Sequence, residues 1–235
     1  MAGWAAKRFW TEVGVTDEPG GFGIRLDARP VRTPAKAPLR VPTRALAEAI
    51  AAEWQAQQGL VRPGSMPFTR SANSAIDKLS LQRAEVVDLI AAYGDADLIC
   101  YRATGPARLV ARQAAGWDPL LGWATGIGAP LQAMAGVIHV PQPPASLARL
   151  RQRVDALGNF ELTAFHDLVA LSGSLVIALA VIDGLHPVLD LWALSRIDEM
   201  WAVEVWGPDD EAAAAAAAKQ QDFLHAATFY SLSKG

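Results

Sequence analysis

Cysteine is almost missing from this chain: Cys100 stands alone among 235 residues, which excludes an internal disulfide and points to a reducing compartment. Its neighbours, Leu98, Ile99 and Tyr101, make it a core residue, because a reactive thiol needs a group that lowers its pKa. A charge excess is missing too. Lys and Arg number 21 against 24 Asp and Glu, a net charge of -3, so no long-range field favours a polyanion and nucleic acid is not expected as a partner. Long apolar runs are also wanting. The longest, Leu168 to Ile182, spans 15 residues and is interrupted by Ser172-Gly173-Ser174, whereas a bilayer crossing takes roughly 20. A buried core helix, with small residues in its middle for close packing, is expected in place of membrane insertion. The start, Met1-Ala2-Gly3-Trp4, reaches Lys7 and Arg8 with no apolar segment and no Arg/Ser-rich stretch, so neither a secretory signal nor a transit peptide is expected.

Catalytic signatures are absent in turn. Neither G-x-x-x-x-G-K-[ST] nor a strand-linked G-x-G-x-x-G occurs, which argues against bound nucleotide; Gly20-Gly21-Phe22-Gly23 opens a strand and not a helix, so it lacks the amides that hold phosphate. The four histidines, His139, His166, His186 and His225, make no H-x-x-x-H pair, so no metal and no cofactor are expected. His166-Asp167 is the one tempting dyad, and a small metal-dependent hydrolase using it is the enzymatic alternative. Asp95 and Asp97 read as caps for the next helix.

What is present falls into two compositional parts. Near the N-terminus, Phe22, Ile24 and Leu26 alternate with Gly23 and Arg25, a strand; Phe9 to Val15, Val31-Arg32-Thr33 and Leu39-Arg40-Val41 are further short runs between turns. Thr43 caps a helix whose Leu46, Ile50 and Trp54 recur every four residues, with Gly59 past its end. Trp54 is expected to anchor that helix on the sheet. From about Ser80 helical periodicity takes over, with stripes at Val86, Leu89, Ile90 and Tyr93, then around Asp118-Pro119, from Ser146, from Glu161 and from Pro187 to Trp206. Gly207-Pro208 with Asp209, Asp210 and Glu211 starts a last helix that holds seven alanines, Ala212 to Ala218. The expected class is α+β: a sheet-containing N-terminal domain over residues 1–79 and an all-helical domain over 80–235.

One position draws a binding role. On a continuous helix from Pro187 to Trp206, Glu199 shares a face with Trp192, Val203 and Trp206, and binding hot spots combine aromatics with a few placed charges. The structural reading of the same spacing is an ion pair with Arg196, one turn earlier.

The segments Lys7-Arg8-Phe9-Trp10, Gly20-Gly21-Phe22, Leu26-Asp27, Arg32-Thr33-Pro34, Glu53-Trp54, Asp97 to Arg102 (DLICYR), Trp117-Asp118-Pro119, and Glu199 with Trp206-Gly207 follow one another in order. Together they resemble the Atp-twelve family of ATP synthase assembly chaperones, from about Lys7 to Gly207. The resemblance implies a protein that is not an enzyme, binds the free ATP synthase alpha subunit without ATP, and shields its beta-subunit interface. It also implies a functional acidic residue in the helix ending at the Trp-Gly pair, matched here by Glu199. A bacterial relative acting in the cytoplasm is expected; eukaryotic relatives work in the mitochondrial matrix. A binding module for some other multimeric complex is the remaining alternative.

Overall fold

The computed structural model describes residues 7–234; the reading of the first four residues lies outside them. The chain forms two compact units, each drawn from separate segments. One takes the chain up to Arg83, Gly158–Ala164 and the chain from Thr228; the other takes Ala84–Leu157 and Phe165–Ala227.

The first unit is built on an antiparallel sheet of β1 (Val13–Glu18), β2 (Gly21–Leu26), β3 (Arg29–Pro30) and β4 (Arg40–Val41), with β2 paired to the other three. The alternation in β2 buries Ile24 and Leu26 and pairs them with Val15 and Val13. Strand β1 starts later than the expected Phe9. The Asp27 carboxylate accepts the Thr11 and Glu12 N–H groups at 3.0 and 2.9 Å, and these bonds hold its pKa below the usual carboxylate value. That contact ends the loop ahead of the strand. Helix α1 (Arg44–Gln55) lies on β1 and β2, with Thr43 Oγ1 accepting the Leu46 N–H at 3.2 Å. Leu46 and Ile50 are fully buried, and Trp54 meets Trp10 edge-on at 5.4 Å. Arg8 donates to the Gln55 and Gln57 carbonyls at 2.8 and 2.7 Å, where a cation also suits the negative end of α1. Glu53 caps α2 (Pro67–Ser74) by accepting from the Phe68 and Thr69 N–H groups and from the Thr69 hydroxyl. Phe160 and Phe68 both stack on the buried Phe229.

The second unit is mostly helical. It holds α3 (Ser80–Ala92) from Ala84 on, α4 (Ala107–Gly126), α5 (Pro144–Asp155), most of α6 (Asn159–Ser172), α7 (Leu175–Ile182), α8 (Val188–Leu194), α9 (Ile197–Trp206) and α10 (Asp210–Ser233) as far as Ala227. It also holds a parallel pair of two-residue strands, β5 (Tyr101–Arg102) and β6 (Met134–Ala135), where an all-helical region was expected. Helix α7 is buried from Leu175 to Ala180, and α4 packs on α7 and α9.

Two helices expected to be continuous are broken. The apolar run stops at Gly173, whose φ of 71° suits glycine. Ser174 then caps α7 by accepting the Ile177 N–H at 3.0 Å, and the buried Asp97 takes the Val176 and Ile99 N–H groups at 3.0 and 3.2 Å. The small residues at 172–174 therefore make a helix break and not a mid-helix packing site. The second break falls at Ser195-Arg196, between α8 and α9. There the Trp117 indole N–H donates to the Leu194 carbonyl at 2.8 Å, which meets a helix-end acceptor from outside.

Candidate functional site

Helix α9 is held at one end and on one side, and presents the rest. Ile197 is buried, and a side chain on Gly116 of α4 would come within 2.7 Å of it, so glycine there lets α4 approach closely. Arg112 grips Glu204 through two nitrogen–oxygen contacts of 2.7 and 2.8 Å, and this hydrogen bonding draws the Glu204 carboxyl below its usual pKa. Arg112 and Arg108 lie over the Trp201 ring at 5.3 and 5.9 Å. The Gln113 side chain, almost fully buried, donates to Asp198 at 2.7 Å and accepts the Ala103 N–H at 2.8 Å.

Left outward on α9 are Met200, Val203, Val205 and Trp206, with Trp206 82 % exposed, beside Glu199, whose side chain is 59 % exposed. Glu199, Val203 and Trp206 lie at i, i+4 and i+7 and share one face. This is apolar and aromatic surface rimmed by carboxylates, the composition of interaction sites.

Trp192 is elsewhere. It belongs to α8, is 5 % exposed and packs on Phe223 at 5.2 Å between ring centres, so the break at Ser195-Arg196 removes the expected i−7 relation to Glu199. It reaches Glu199 only through Arg196, which stacks over the Trp192 ring at 4.9 Å and pairs with Glu199 at 2.8 Å. The ion pair and the exposed face read from the spacing of Glu199 thus coexist.

Beside α9 opens a cleft of about 330 Å³, lined by Tyr101, Ala103, Leu109, Gln113, Val137 and Asp198 among others. Val137 lines it and stands 94 % exposed, and the next residue, Ile138, is 81 % exposed. Sequence reasoning passed over these residues. The run Val137-Ile138-His139-Val140 between Gly136 and Pro141 carried a signal, β-branched residues in a turn-bounded stretch, whereas Gln113 and Asp198 carried none.

The two most specific motifs meet in the second unit. Arg102 lies 5.2 Å over the Trp117 ring and pairs with Asp118 at 2.8 Å. Cys100 is buried, which pushes its thiol up to about 12. His166 bonds Asp167 at 3.0 Å, a contact that raises the His166 pKa; among the described residues no group of three His, Cys, Asp or Glu side chains could hold a metal ion. Nor is any described helix long and apolar enough to cross a membrane.

Comparison with known proteins gives one consistent result. The family model described as ATP12 chaperone protein matches residues 7–125. A mitochondrial atp12 protein of Schizosaccharomyces pombe is 25 % identical over 220 residues, 88 % of this chain and 75 % of that one. The crystal structure of Atp12 from Paracoccus denitrificans superposes with a TM-score of 0.95 at 51 % identity, covering 97 % of this chain and 99 % of that one. An aspartate-to-lysine mutant of Atp12p from P. denitrificans gives 0.95 at 50 % identity over 97 % and 98 %.

Proposed function

The chain belongs to the ATP12 chaperone family, and on that premise we propose that it binds the free alpha subunit of ATP synthase in the bacterial cytoplasm and covers the surface later taken by the beta subunit. It is a chaperone and not an enzyme. The observation that carries the choice of surface is α9: Trp206 almost wholly exposed, Met200 and Val203 beside it, and Glu199 on the same face. An unassembled subunit exposes apolar surface that would otherwise aggregate, and a mask for it must offer apolar area with charges that set register. Trp192 acts from behind, since its ring holds the arginine that positions Glu199.

The test is Glu199→Lys. The Arg196–Glu199 pair is exposed on the carboxylate side, so losing it costs roughly 0–1 kcal/mol of stability. The reversed charge should weaken alpha-subunit binding at least tenfold, a loss of about 1.4 kcal/mol or more. Thermal melting by circular dichroism and titration of the alpha subunit read the two effects. A folded variant with undiminished affinity takes Glu199 out of the contact.

A further inference from the structure

The cleft beside α9 has a charge imbalance and a stiffened apolar lip, and both describe an occupant. We infer that it seats the side chain of an arginine or lysine carried on an extended, apolar segment of the client, with the flanking apolar residues lying on Val137 and Ile138. That the client is the alpha subunit rests on the function proposed above.

The charged groups lining the cleft are Arg102 and Asp198. Arg102 adds no net charge to the cleft: its Nε donates to the Ile99 carbonyl at 3.0 Å, its guanidinium covers Trp117, and the Asp118 carboxylate 2.8 Å from Nη2 balances it, although Nη2 makes no directed hydrogen bond. Asp198 accepts one bond from the neutral Gln113 amide at 2.7 Å, and it pairs with no cation among the described residues. The cleft therefore presents a net carboxylate above walls of Ala103, Leu109 and Val137. A long aliphatic stem ending in a cation fits such walls, burying its methylenes and keeping its head at the carboxylate. At about 330 Å³ the space lies at the small end of ligand pockets, which begin near 300 Å³, and so suits one side chain.

The lip is held in place before anything binds. His139 sits between the Tyr101 hydroxyl at 3.0 Å and the Asp95 carboxylate at 3.2 Å. Asp95 also accepts the Gln142 N–H at 2.7 Å. The buried Gln142 side chain closes the loop by pairing with the Gln132 N–H and carbonyl at 2.8 and 2.9 Å. A loop fixed in this way loses little freedom on binding. Asp198 directly precedes Glu199 on α9 and points about 100° round the helix from it, so the cleft opens beside the face that carries Glu199 and Trp206.

The experiment uses the whole isotope-labelled protein and two nonapeptides of alternating threonine and valine, one with a central arginine and one with a central glutamate. The arginine peptide should give saturable amide shifts at Gly105, Leu109 and Gly136, and the glutamate peptide should bind at least tenfold more weakly. Asp198→Asn, which keeps an acceptor for Gln113, should abolish the preference. The double variant Val137→Ser with Ile138→Ser should weaken the arginine peptide at least fivefold. Equal binding of the two peptides, or shifts confined to other residues, overturns the assignment. Titration with alpha subunit separates this inference from the reading beneath it. Wild type that takes the peptide in the cleft but ignores the alpha subunit contradicts the client and supports the cleft. Wild type and Asp198→Asn that bind alpha subunit equally well overturn the cleft as its contact.

Discussion

Arg196 lies over the ring of Trp192 at 4.9 Å and turns one nitrogen to Glu199 at 2.8 Å, so a buried aromatic sets the position of an exposed carboxylate through a single cation. Arginine is suited to this because its planar group can stack and donate together. The consequence is a division of labour between the two tryptophans that sequence spacing had placed on one stripe.

That division is measurable. Trp192→Ala empties a site packed against Phe223 and should cost about 3–5 kcal/mol of stability. Trp206→Ala removes a side chain that is mostly in solvent; it should shift stability by no more than about 0.5 kcal/mol, yet weaken alpha-subunit binding by about 2 kcal/mol or more. Chemical denaturation and partner titration of both variants check this. A Trp206→Ala protein with normal affinity contradicts the proposed contact face.

Binding should also be indifferent to nucleotide, because no phosphate-binding loop occurs in the sequence. Suppression of alpha-subunit aggregation, followed by light scattering, is expected to be the same with ATP, with ADP and after nucleotide removal. Saturable micromolar ATP binding to the isolated protein would contradict this.

Where local chemistry decides structure, the sequence could be read. The alternation of Phe22, Ile24 and Leu26 became β2, and Thr43 became the cap of α1. The helix breaks were not legible, since each depends on a group far along the chain. Ser172-Gly173-Ser174 becomes a break once Asp97 arrives at the start of α7. Ser195-Arg196 contains neither glycine nor proline and breaks where Trp117 takes the Leu194 carbonyl. Of the candidate site, the exposed Glu199 and Trp206 on one face of α9 follow from helical spacing. Trp192 was misplaced by the same spacing, because the helix it assumed is two helices. The cleft draws Gln113, Val137 and Asp198 from three separate segments, and no periodicity connects them.

The meeting of Arg102 with Trp117 and Asp118 gives a third prediction, for stability. Lysine cannot reproduce both the flat stack on Trp117 and the Nε bond to the Ile99 carbonyl, so Arg102→Lys should cost roughly 1–2 kcal/mol. The side chain is only 11 % exposed, and solvent offers it little compensation. The midpoint of urea unfolding should fall with an unchanged slope. An unchanged midpoint would mean that the contact contributes nothing net.

Asp97 supplies a dependence on pH. Burial pushes its carboxyl from the ordinary 3.8 up to about 6, although the Ser174 side chain and the Val176 and Ile99 amides pull the other way. A carboxyl whose pKa is higher in the folded state holds its proton more tightly there than in the unfolded chain. Its stabilising contribution is therefore present at low pH and is lost as pH rises from about 4 through about 6, by about 3 kcal/mol at 1.36 kcal/mol per unit. Carboxyls shifted down, such as Asp27 and Glu204, act in the opposite sense, so the bare stability profile mixes the two. The difference between wild type and Asp97→Asn isolates the one group. The variant keeps one acceptor and turns an amide NH₂ toward a backbone donor, so it should be less stable at pH 4 by more than the roughly 1–3 kcal/mol of an unsatisfied polar group. Between pH 4 and pH 7 that gap should narrow by about 2 kcal/mol, because only wild type has a proton to lose at this position and its unfolded form is already more than half ionised at pH 4. Urea unfolding at the two pH values measures it, and a gap of equal size at both would show that Asp97 titrates in its ordinary range.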